Sequence, residues 1–164
     1  RGKVAALSES AMYHTSKDDS RAYTLMSIDA ATGAGEYLAY LKNDDSLRDV
    51  VIDKITVGGD LTQFVKLATV TGTPTGTSIT PRNLSIQQTG RSADVTAYGN
   101  AAVGALTEAL LLGGVRSAAG GSAVLYEGSS LRMVKDDAIG VEIDIHAGGH
   151  SFVEIIFHFE KAAA

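Results

Sequence analysis

The chain has 164 residues, no cysteine and a formal net charge of −5. A single domain of this length buries roughly 70% of the surface of its unfolded chain, so it needs no covalent staple. The lack of cysteine excludes disulfides, thiolate metal sites and cysteine nucleophiles, and suits assembly in a reducing cytosol. The 14 basic side chains form no basic run, so we expect no direct contact with nucleic acid.

The beginning of the chain differs from the rest. Residues 1–21 show no sustained periodicity and contain the polar run from Ser16 to Ser20, which predicts an extended N-terminal arm. The opening segment soon becomes polar and charged, which is not typical of a signal peptide. The sequence contains no stretch of about 18 consecutive apolar residues, which is the length that a membrane-spanning helix needs. We therefore expect no contact with a membrane. We place the domain proper at residues 22–161.

From residue 22 onward, short apolar runs alternate with turn signals, as is typical of strands joined by tight turns. Two prolines and several glycines interrupt residues 71–83, which we interpret as a connection because proline cannot donate to a central ladder. The strands predicted in this part of the chain cover residues 23–28, 36–42, 48–57, 62–70 and 92–98.

Residues 101–112 allow two interpretations. Their alanine and leucine content, followed by Gly113 and Gly114, suits a short helix with a glycine stop, whereas their all-round apolarity suits a buried strand pair. We favour the helix. A flexible loop is expected over 113–122, and then two short strands separated by a tight hairpin or a short break at residues 128–130.

The last two elements alternate most regularly. Ile139 to Ile145 and Val153 to Phe159 place an apolar residue at every second position, which predicts two half-buried strands. We expect them to form a hairpin with a three-residue loop between His146 and His150. That register keeps both apolar rows on one side.

Many short strands without an alternation of strands and helices predict a mainly β fold. We expect an antiparallel β-sandwich, of the jelly-roll type, with one short helix at most.

Motifs of catalysis are missing. No Gly-x-Ser-x-Gly nucleophile elbow and no phosphate loop occur, and the paired carboxylates Asp44–Asp45 and Asp136–Asp137 lie in turn contexts where aspartate bonds its own backbone. We therefore expect a protein that is not an enzyme and that uses no cofactor.

The outer face of the expected hairpin carries the best candidate ligands for a cation. Oxygen and imidazole donors on adjacent strands could hold a divalent ion. A solvated sheet face is the interpretation that we favour, with a subunit contact as a further alternative, so we predict no metal site. The donors concerned are Glu142, Asp144, His146, His150, Glu154 and His158.

Four apolar or aromatic residues are candidates for a contact between subunits. Phe152 and Ile156 occupy positions that the alternation assigns to solvent, where polar residues are expected. Tyr37 and Tyr40 are three residues apart, so we expect them on opposite faces of a strand, one in the core and the other exposed.

Several stretches resemble small virion structural proteins of tailed bacteriophages. They are residues 35–43, 50–55, 70–77, 80–83 and 137–142, within a likeness that extends over about residues 35–160.

The resemblance implies a β-sandwich subunit of the phage virion, of the capsid decoration or cement type. Such a subunit would form a homo-oligomer, a trimer, on the major capsid protein, and the resemblance supplies no catalytic residue. The alternative is a receptor- or glycan-binding module of a tail or fibre, with residues 71–83 able to hold a sugar.

Overall fold

The computed structural model describes residues 22–29, 35–85, 91–144 and 149–162, so the predicted arm at 1–21 lies outside the described residues. Ten strands and no helix lie within these ranges. The strands are β1 Ala22–Asp29, β2 Glu36–Asn43, β3 Arg48–Gly59, β4 Gln63–Thr75, β5 Arg82–Asn83, β6 Val95–Tyr98, β7 Gly104–Ser117, β8 Gly121–Met133, β9 Ala138–Asp144 and β10 Ser151–Lys161.

The strands form two five-stranded sheets that pack face to face. Sheet A has the order β5-β1-β10-β3-β8 and sheet B has the order β6-β2-β9-β4-β7. The first four strands each pair antiparallel with one of the last four, in reverse order: β1 with β10, β2 with β9, β3 with β8 and β4 with β7. This order is that of a jelly roll, and the predicted antiparallel β-sandwich is confirmed.

The core lies between the two sheets and is built from the alternating residues of the central strands. In β10, Val153, Ile155 and Phe157 are fully buried, as the period of two predicts. The ring of Phe157 stacks on that of Tyr23 in the neighbouring strand, with a centroid distance of 5.6 Å. Core residues from sheet B complete the layer, among them Leu41, Val65, Leu67, Ile139, Val141 and Ile143.

The helix predicted over residues 101–112 is wrong, because this stretch enters strand β7. Most of the loop expected over 113–122 is also strand, since β7 ends at Ser117 and β8 begins at Gly121. Pairing with β4 satisfies the inward side of the β7 backbone over most of the strand, and this tertiary pairing outweighs the helix propensity of alanine and leucine.

Residues 128–130 do not form a hairpin, because β8 passes through them as one strand with a bulge. Opposite β3, the register jumps from Glu127 to Leu131, and the three residues between them have no partner. The hydroxyl of Tyr126 closes the bulge by accepting hydrogen bonds from the backbone N–H of Ser130 at 3.0 Å and of Leu131 at 2.8 Å.

The hairpin predicted for the last two strands is wrong. Strand β9 lies in sheet B between β2 and β4, whereas β10 lies in sheet A between β1 and β3. Glu142 therefore stands opposite Tyr37 and Lys66, and Glu154 stands opposite Met26 and Thr56. Both strands still direct their apolar rows into the shared core, so the alternation is compatible with either arrangement.

A close contact on the outer face of sheet B gives a test of this packing. A Cβ atom at Gly140 would lie 2.7 Å from Cδ1 of Tyr37. We expect Gly140→Ala to lower the free energy of unfolding by about 1–3 kcal/mol, because a methyl group would overfill a packed site. Urea denaturation measures the change.

Gly113→Ala is the matched control, because nothing lies within 4 Å of a Cβ at that position. Its unfolding free energy should stay within about 0.5 kcal/mol of that of the original protein. Equal effects of the two substitutions would contradict the packing described here.

Candidate interaction surface

Strand β7 is an edge strand of sheet B that exposes three consecutive leucines. The side chains of Leu110, Leu111 and Leu112 are 60%, 52% and 40% exposed. The register to β4 skips Ala109 and Leu112, so two single-residue bulges bend β7 here. Isolated exposed leucines are ordinary, but a contiguous apolar edge is the usual mark of a contact with another protein.

The edge of sheet A on the same side of the sandwich is strand β8. Its residue Val124 is 44% exposed. The turn at residues 118–120 joins β7 directly to β8, so the open edges of both sheets lie side by side. The bulge at 128–130 interrupts the β8 ladder and makes this edge a poorer template for strand pairing.

The opposite edge of the sandwich is covered by the chain itself. The connection between β4 and β7 supplies β5 to the edge of β1 and β6 to the edge of β2. Further backbone hydrogen bonds fix this connection, from Ile79 N–H to the Ala97 carbonyl at 3.0 Å and from Leu84 N–H to the Ala22 carbonyl at 2.9 Å. Within the described chain, the β7/β8 side therefore remains the uncovered side.

Phe152 and Ile156 lie on the outer face of sheet A and are half-buried. The ring of Phe152 packs on the backbone of Gly58, where an added Cβ would be 2.5 Å from Cε1. With Met26 and Ile28, which are each 52% exposed, it lines a shallow apolar pocket. The pocket has a volume of about 380 Å³, and Asp60 and His150 also line it.

Tyr37 and Tyr40 lie on the same outer face of sheet B, so the prediction that they lie on opposite faces is wrong. A bulge in β2 between Tyr37 and Ala39 changes the parity of the strand. Both tyrosines are buried in a small second cluster with Val70 and Val103. Burial raises the pKa of each phenol, helped at Tyr37 by the nearby Glu142 carboxylate. Neither ring is open to a partner.

The expected group of cation ligands is not assembled. Glu142 and Asp144 lie in sheet B, whereas His150, Glu154 and His158 belong to sheet A or its approach, and His146 lies outside the described residues. The carboxylate of Glu142 binds Lys66 with an Nζ–Oε1 distance of 3.0 Å. In the described ranges no group of three or more histidine, aspartate or glutamate side chains is arranged so that it could hold a metal ion.

His158 belongs instead to a structural charge network on the outer face of sheet A. Its side chain is fully buried, with Nδ1 2.8 Å from Oδ2 of Asp53 and Nε2 3.0 Å from Oε1 of Glu160. The Arg132 guanidinium forms ion pairs with Glu160 and with Asp49, and the distance from its Nη1 to Oδ2 of Asp49 is 3.1 Å. Burial lowers the pKa of His158, but the hydrogen bonds to both carboxylates outweigh it and raise the pKa overall.

No family model, curated protein or solved structure matches this chain. No helix in the described part of the protein is long and apolar enough to cross a membrane.

The outer side of sheet B carries a groove. Its volume is about 440 Å³, and the rings of Tyr40 and Tyr98 meet edge to face at its wall, with centroids 6.2 Å apart. Lys42 and Asp136 form an ion pair of 2.8 Å in it. The remaining lining residues are Val70, Thr71, Gly72, Thr73, Pro74, Thr96 and Ala138.

The His158 network predicts a pH dependence of stability. The pKa of His158 in the folded protein lies above its value of about 6.5 in the unfolded chain. His158 therefore adds its full contribution to the free energy of unfolding below about pH 6.5, and this contribution is lost as the pH rises through the folded-state pKa. Asp53→Asn removes one carboxylate that raises the pKa. We expect the variant to lose less stability than the original protein between about pH 6 and pH 9.

Asp60→Asn is the matched control, because Asp60 contacts His150 at 3.1 Å in an exposed position. Urea titrations across the same pH range measure both variants. An unchanged pH slope in Asp53→Asn, or an equal change in Asp60→Asn, would contradict a charged and buried His158.

Proposed function

We propose that this chain is a non-enzymatic structural protein of a virus particle, which forms oligomers and decorates or cements the shell formed by the major capsid protein. The observation that carries the proposal is the uncovered β7 edge, where Leu110 to Leu112 are exposed side by side. A chain whose described strands close one side of the sandwich and leave an apolar edge open on the other side is suited to assembly with other subunits.

The polar side chains support a structural role rather than catalysis. Asp45 accepts hydrogen bonds from the backbone of Leu47 and Arg48 and pairs with the Arg48 guanidinium, which together hold its pKa below its ordinary value despite burial. Asn43 similarly donates to the carbonyls of Arg48 at 3.0 Å and Met133 at 2.9 Å. These groups are occupied in fixing turns and strand ends.

The outer face of sheet A offers a second contact surface. The shallow apolar pocket at Met26, Ile28 and Phe152 has a polar rim formed by Asp60 and His150. This combination of an apolar centre and a polar rim is common in contacts between protein subunits. We therefore assign the shell contact to this face, which leaves the β7 edge for contacts between copies of the chain.

Co-sedimentation with emptied particles of the virus that encodes the chain tests this function. We expect saturable binding at a fixed stoichiometry and a loss of at least about tenfold in affinity for Phe152→Asp, because the charge would be buried against the shell. Leu47→Asp is the control, because Leu47 is 76% exposed in the turn before β3. Particles that bind none of the protein would contradict a decorating role.

The tyrosine-lined groove favours a second function, a glycan-binding module of a tail or fibre. A ring for stacking, threonine hydroxyls and a charged pair are suitable groups for a polar ligand. If this function holds, Tyr98→Ala should abolish binding on a glycan array, whereas Tyr126→Ala, on the other sheet, should not. A blank array for the unaltered protein would count against it.

A further inference from the structure

We infer that the β7 edge is a twofold contact between two copies of this chain, in which the leucines of one copy pack against those of the other. The inference rests on the proposed role as an assembly subunit, and it names the partner of the open edge. The observation behind it is a pair of opposite charges that flank the leucines.

Glu108 and Arg116 are both exposed on β7, one on each side of the leucines. Glu108 stands opposite Val70 and Arg116 stands opposite Phe64 in the register with β4. Val70 and Phe64 are six positions apart on β4. The two charged residues are therefore about 20 Å apart along the strand. Side chains of paired residues project from the same face, so both charges lie on the outer side of sheet B, where Val70 belongs to the outer cluster.

No ion pair of the described residues includes Glu108 or Arg116. Lys66 on this face pairs directly with Glu142 and interacts with Glu108 only at longer range. An unpaired anion and an unpaired cation on either side of an apolar patch form a surface that is complementary to itself.

A twofold axis converts this arrangement into two intermolecular ion pairs. The midpoint between Val70 and Phe64 is Leu67, whose partner Gly113 is next to Leu112. Rotation by half a turn about an axis at this point exchanges the two ends of β7. Glu108 of each copy then faces Arg116 of the other, and the leucines meet around the axis. A contact of this isologous kind buries the same patch on both copies and closes the assembly.

The two bulges in β7 limit the length of the contact between the two copies. The extra residues Ala109 and Leu112 bend β7 and disturb its outward row of backbone groups, which hinders the addition of further strands in a continuous sheet. Side-chain packing of Leu110 to Leu112 therefore carries the contact, and the result is a discrete dimer rather than a fibre. A threefold arrangement would bring the leucines against a different surface, where Glu108 would not meet Arg116.

Charge reversal on the full-length protein tests the twofold contact. The dissociation constant of the dimer is measured by sedimentation equilibrium at low salt, where exposed charges are least screened. Glu108→Arg alone places two like charges together at each of two sites, and Arg116→Glu alone does the same. Each single variant should weaken the dimer at least about tenfold. The double variant restores opposite charges and should return to within about threefold of the original.

Arg82→Glu is the control for the change in net charge, since Arg82 is exposed in β5, on the opposite edge of the sandwich from β7. It should leave the dissociation constant unchanged. Circular dichroism melts confirm that the variants, which are all altered at exposed positions, remain folded.

Three results would overturn the inference. They are a protein that is monomeric at all concentrations, one that sediments as a trimer, and single reversals whose defect the double variant does not repair. Binding to emptied virus particles is scored separately on the same variants. An unaltered protein that binds the shell but forms no dimer would therefore overturn the twofold contact and leave the proposed decorating function in place.

Discussion

The apolar layer between the two sheets fixes the position of the other elements of this protein. Residues such as Ile55, Val141, Ile155 and Phe157 are buried from both sides, so each strand must keep its period of two and its register. A slip by one residue in β10 would expose its apolar row and bury Glu154. The bulges occur where the strands bend, and they change which side chains reach the outer surface.

The parts of the fold that could be predicted from the sequence are those in which local pattern and tertiary environment agree. The alternation of apolar residues in β9 and β10 is that of strands with one face in the core, and it agrees with the observed sandwich. The placement of β9 and β10 in different sheets could not be predicted, because a row of alternating residues faces the core equally well from either sheet. Strand β7 was not predicted, because its run of alanine and leucine residues shows no period of two. Two bulges in the strand interrupt that period.

The candidate surface was predicted in part for the same reasons. Phe152 and Ile156 were recognisable as apolar residues at outward positions, and they do lie on the outer face of sheet A. The exposed leucines of β7 were not recognised as a surface because a helix was expected there. Three adjacent leucines without periodicity were the available signal. Tyr37 and Tyr40 were misplaced because the bulge in β2 cannot be read from residue types alone.

The pairing of the first described strand with the last has a consequence for biosynthesis. Tyr23 lies opposite Phe157, so β1 acquires its central neighbour only after all the intervening strands have been synthesised. Non-local pairings of this kind close long loops and slow folding into the range of milliseconds to seconds. On the ribosome, the nascent chain must therefore hold Tyr23 and Leu25 without their β10 partners until β10 has been synthesised, and chaperones that shield apolar segments would raise the yield of this protein.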